Sequence, residues 1–201
     1  MDNPIGKVAL PLARFLAIVS GYGILLVCFA IVVEIVGRKL FGFTLQGVDD
    51  IGGYALAIAA AVGASYTMAQ RGHTRIDVFL VRMPKRAQAI LNALAMVGMA
   101  IFASYVLWRG SYVLEESLLF QSVATNPLQT PLAWPQSIWI AGLALFAVIS
   151  VAYALHALWL LYADAERVNR FYGPATAQDE VEAELAARAA QAAAGKADAP
   201  Q

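Results

Sequence analysis

Charge along this chain is confined to short blocks that separate long apolar runs. Phe15–Gly37, Ile51–Gln70, Ala87–Trp108 and Gln136–Tyr162 hold almost no ionisable side chains. Each is close to the roughly 20 residues an α-helix needs to cross a bilayer core of about 30 Å. The pattern predicts an all-α integral membrane protein with four transmembrane helices. Residues 1–14 form a short N-terminal segment, 15–162 the four-span domain, and 163–201 an Ala-rich tail expected to be disordered. The first run, 23 residues long, exceeds the roughly 7–15 residues of a signal-peptide core, and no A-x-A-like cleavage site follows it. It is read as a retained span.

The polar blocks have readable ends. Arg38–Asp50 contains Gly42 and Gly47 as turn residues and closes on Asp49-Asp50, which are expected to cap the second helix, where free N–H groups and the helix dipole favour carboxylates. In the second span Gly53, Ala57, Ala61, Ser65 and Ala69 recur every four residues, and Ala55, Ala59, Gly63 and Thr67 form a second small row. Such rows let helix backbones approach closely in lipid, which predicts a central helix for this span. Between spans two and three lies Arg71–Arg86. There Thr74 and Asp77 resemble a capping box, and Ile76, Phe79, Leu80 and Met83 fall on one helical face with Arg75, Arg82 and Arg86 around the other. A short interfacial helix ending at Pro84 is expected. The third span ends near Trp108-Arg109, with a pattern that extends to about Leu119. Pro127, Pro131 and Pro135 then mark the longest irregular connector.

Composition agrees with the pattern. The 201 residues are 60% hydrophobic and 14% charged, against about 45–50% and 25% in ordinary soluble domains. Formal net charge is zero, so there is no electrostatic case for a nucleic-acid partner; the lipid bilayer is the expected surrounding. Eleven of the 14 Lys and Arg residues lie in the N-terminus, the 71–86 block and the tail. By the positive-inside rule both termini are cytoplasmic.

Candidate chemistry is sparse. No phosphate loop, helical histidine pair or Ser–His–Asp set is present, so no enzyme and no cofactor site is expected in this chain. Glu34 is the one charge in the first span; pairing with Arg38 four residues on is the expected role, with a proton relay as the other reading. Cys28 has no partner for an intrachain disulfide and is read as a small buried apolar residue. One alternative of a different class is a haem b electron carrier using His73 and His156 as axial ligands. His156 is otherwise expected to be packed and partnered within the bundle.

Four features in order carry a family resemblance. They are Arg38-x-x-Phe41-Gly42, the acidic pair Asp49-Asp50, Gly72-His73-Thr74-Arg75-Ile76-Asp77 followed by Pro84, and Thr130-Pro131 through Pro135. Over roughly Phe15–Tyr162 the chain resembles the small membrane subunit of tripartite ATP-independent periplasmic (TRAP) transporters. The resemblance implies a multi-pass protein of the bacterial inner membrane, partnered by a large membrane subunit and a periplasmic substrate-binding protein. It implies a stationary scaffold, with substrate, an organic acid anion, and the coupling ion, sodium, carried by the large subunit. Arg38, Asp49, Asp50, His73, Thr74, Arg75 and Asp77 would then serve assembly and positioning.

Overall fold

The computed structural model describes residues 3–44, 47–70, 80–125 and 129–173, together with Leu185 and Arg188. Four long helices, α1 (Pro4–Phe41), α2 (Val48–Ala69), α3 (Lys85–Leu119) and α4 (Ala133–Ala163), are each long and apolar enough to cross a membrane. A fifth, α5 (Ala165–Tyr172), follows after one residue. Among the described residues there is no strand beyond a single bridge, Val123–Pro131, which pins the connector between α3 and α4.

All four helices begin before their predicted spans, α1 and α3 outrunning them most. α1 has 38 residues and starts at Pro4, not Phe15. Asn3 caps it by accepting from the Ile5 N–H at 3.1 Å, and Ile5 and Ala9 are half-buried against the core while Ala13 is fully buried. That packing is why the polar-looking N-terminus is helical. α3 runs on to Leu119, following the extended pattern beyond Trp108. At its far end α1 stops at Gly42, whose φ of 64° lies in the left-handed region that glycine adopts without steric cost. The glycine of the Phe-Gly pair thus has a backbone reason. Phe43 then folds back, and its N–H donates to the Gly37 carbonyl at 3.2 Å.

The helices form an open row in the order α1, α2, α4, α3. α1 packs along α2, α2 on α4, and α4 on α3, while α1 reaches α4 only slightly. The α3–α4 seam is the densest part. On α3 Ala89, Ala93, Met96, Ala100 and Ala103 are all buried at alternating spacings of four and three. On α4 Leu143, Phe146, Ser150, Tyr153, Ala157 and Leu160 repeat with the same rhythm. A 3.5-residue repeat is the signature of left-handed helix packing, and alanine knobs allow a close approach.

The α2 stripe is divided. Ala61, Ser65 and Ala69 are buried, whereas Gly53 and Ala57 are exposed. At the crossing with α4, a Cβ on Gly142 would stand 3.0 Å from the Ala61 Cβ, and Ser65 Oγ donates to the Gly142 carbonyl at 3.3 Å. α2 is therefore an inner helix of a row, covered over only half of its small face. Cys28 corrects the sequence reading: it is exposed on α1, because α1 is an outer helix with most of its apolar surface turned away from the rest of the chain.

The tail also differs at its start. Residues 165–172, placed with the Ala-rich tail expected to be disordered, form α5. Asp164 caps it, accepting from Glu166 N–H at 3.1 Å and Arg167 N–H at 3.4 Å. Val168 and Tyr172, one turn apart, are buried against the bundle. A helix this short has little stability alone; docking holds it.

Candidate assembly site

At the end of the molecule where both termini of the membrane domain meet, four helices are drawn together around α5. Tyr172, 1% exposed, is the centre. Its hydroxyl accepts from Asn3 Nδ2 at 2.9 Å and lies 2.6 Å from His156 Nδ1 on α4. A hydroxyl that accepts from Asn3 still has its proton to give, and donation to Nδ1 satisfies all three side chains. The ring of Tyr172 meets Tyr153 edge-on at 5.7 Å between centroids, and the Tyr153 hydroxyl donates to the Ala69 carbonyl at the end of α2. On the other side of α5, Asn169 accepts from Asn92 Nδ2 of α3 at 3.0 Å and donates to the Lys85 carbonyl at 2.8 Å. One short helix thus ties α1, α3 and α4 directly, and α2 through Tyr153.

All of these bonds except the exposed one from Asn169 to the Lys85 carbonyl are partly or wholly buried, where a lost partner costs more than a bond contributes. The nearby ion pair of Lys85 Nζ with Glu166 Oε1, at 3.8 Å with both side chains 81% exposed, adds little by comparison.

The predicted site residues are dispersed. Arg38 does pair with Glu34, Nε to Oε1 at 3.6 Å, and the Glu34 side chain is only 8% exposed while Arg38 is open. Asp49 and Asp50 do not cap α2. The cap position is Gly47, at φ 84° and without a side-chain bond, and both aspartates sit inside the first turn. Their contribution is to the helix dipole. His73, Thr74, Arg75 and Asp77 lie outside the described residues, as does most of the expected interfacial helix; its described end is a 3-10 turn, Leu80–Arg82, before Pro84. Of the two histidines in the haem alternative, His156 is engaged through Nδ1 by Tyr172 and stacked on Trp159. Among the described residues no three His, Cys, Asp or Glu side chains group as metal ligands.

Sequence reasoning missed Asn3, Asn92, Asn169 and Tyr172. The alternating spacing of Ala89 to Ala103 was a readable sign of the α3 seam. Nothing local joins Asn3 to Tyr172, since the bond spans 169 positions.

Fold and site together define a class: a polytopic helical membrane protein whose buried polar side chains hold helices to one another. Within that class the assignment is specific. Residues 10–160 match the family model described as tripartite ATP-independent periplasmic transporters, DctQ component. The chain belongs to the DctQ family and is the small membrane component of a TRAP transporter. No curated protein matches it.

Proposed function

We propose that this chain is the stationary scaffold of its transporter. It holds and orients a large membrane subunit that carries the substrate, an organic acid anion, together with its coupling ion, sodium. A periplasmic binding protein delivers the substrate, and the complex sits in the bacterial inner membrane with both termini of this chain cytoplasmic. The observation that carries this reading is the open row of helices. α1 packs on α2 along one side and leaves Tyr22, Leu26 and Phe29 exposed, and half of the small face of α2 is uncovered at Gly53 and Ala57. Small residues in lipid favour a closely packed helix, and the large subunit supplies it. Unbroken spans suit a scaffold, because substrate and ion sites in secondary transporters are built from interrupted helices.

Within this reading Arg38, Asp49 and Asp50 position the loop between α1 and α2. His73, Thr74, Arg75 and Asp77 order the loop between α2 and α3. The test is a mild-detergent pull-down of the tagged chain from native membranes, read by mass spectrometry and a visible absorption scan. One much larger polytopic protein co-elutes, and Arg75→Ala or Asp77→Ala lowers its recovery. A Soret band without a large partner would overturn the scaffold and favour His73 and His156 as haem ligands. Normal recovery with failed uptake in the Arg75 and Asp77 variants would overturn their assembly role.

A further inference from the structure

Beside the clasp, where the first turns of α1 pass the end of α2, an open groove of about 810 Å³ runs along the outer helix. Its wall is graded along α1. Lys7 and Arg14, seven residues apart and so on one face, lie toward the N-terminus, and Phe15 and Ile18 continue the groove along the helix. Gln70 and the Tyr153 ring form part of its floor. Among the described residues no carboxylate lies within ion-pair distance of Arg14. Arg14 is also the last charge before 19 uncharged residues that end only at Glu34, which places it at the edge of the apolar slab, the depth at which headgroups sit.

A small anion would satisfy the guanidinium but gain nothing from the exposed faces of Phe15 and Ile18. An amphiphile satisfies both. Basic pockets between membrane helices recognise anionic headgroups, and the attraction is worth a roughly fivefold change in affinity per cation. We infer that this groove holds one anionic phospholipid, its phosphate at Arg14 and one acyl chain laid along Phe15 and Ile18.

The test uses the full-length chain purified with its membrane partner and reconstituted in nanodiscs of phosphatidylcholine, with and without phosphatidylglycerol. Native mass spectrometry counts retained lipid, and a thermal melt reads stability. Wild-type protein retains one phosphatidylglycerol and melts higher in its presence. Arg14→Gln weakens retention about fivefold, while Arg14→Lys, which keeps the charge, largely restores it and shows that the groove still folds. Unchanged retention in Arg14→Gln, or equal stabilisation by phosphatidylcholine alone, would overturn the proposal. So would a stabilising shift from soluble glycerol phosphate, which would make this a site for free anions. A photoreactive residue at position 18 should capture lipid; capture of residues 71–79 or of another subunit would show that protein fills the groove instead.

Discussion

The hydroxyl of Tyr172 has two neighbours, Asn3 and His156, that come from opposite ends of the chain. Tyr172→Phe keeps the ring against Tyr153 and removes only that oxygen, leaving buried Asn3 Nδ2 and His156 Nδ1 without it. The expected cost is about 1–3 kcal/mol, read as a lower thermal midpoint in detergent; an unchanged midpoint would mean that water or another side chain serves the same groups. At this scale the sequence was least informative. His156 could be expected to find a partner within the bundle, but which one could not be read, because Tyr172 lay in a segment placed with the tail. Gly42 was the opposite case: a glycine after an Arg-x-x-Phe turn signalled a helix end, and its left-handed φ supplies the reason. The aspartate pair was placed correctly in the first turn of the helix, where the dipole favours it, but Gly47 holds the cap position.

Helices pack here by exclusion of bulk as much as by apolar attraction. Ala61 faces Gly142 with no room to spare, so Ala61→Leu forces α2 and α4 apart, at about 1–3 kcal/mol for the overpacking. Reduced yield of folded protein with a lower melting point is the expected result, whereas Ala57→Leu, on the exposed half of the same stripe, leaves the isolated chain unaffected. Equal effects at the two positions would contradict the division of the stripe. α5 invites a paired truncation. A stop after Ala163 removes the helix and exposes Asn92, and should lower thermal stability; a stop after Gly173 retains the clasp and should melt as the full chain does. If both truncations behave alike, α5 does not hold the bundle. Element existence was legible because four blocks of the right length are hard to mistake. The early start of α1 was not, because Lys7 and Arg14 masked an apolar face that only α4 reveals.

The whole domain brings its first and last described helices to one end, as an even number of crossings requires. Positive residues gathered in the 71–86 block and beside both termini are the ground, through the positive-inside rule, for the proposal that this end is cytoplasmic. Cysteines introduced at positions 2 and 190 of a Cys28→Ser background should both resist a membrane-impermeant thiol reagent in intact cells and react after lysis. Labelling of either one in intact cells would reverse the orientation. The row arrangement itself was not legible: small stripes announce close neighbours without naming them, and the same stripes fit a helix enclosed on all sides. Its two exposed small positions are understood only when the neighbours are known.

The bond between Asn3 and Tyr172 has a bearing on how the protein is made. Its two partners are separated by nearly the whole membrane domain, and chains emerge from the N-terminus at about 5–20 residues per second. Asn3 must therefore wait for most of the period of synthesis before its partner exists. Until then α1 and α2 can pair as a hairpin, but Asn3 has no Tyr172 hydroxyl to meet. Closure of the clasp marks the arrival of α5 on the bundle, so that a chain terminated before Tyr172 is left with an open, polar end and differs by that feature from one that has passed it.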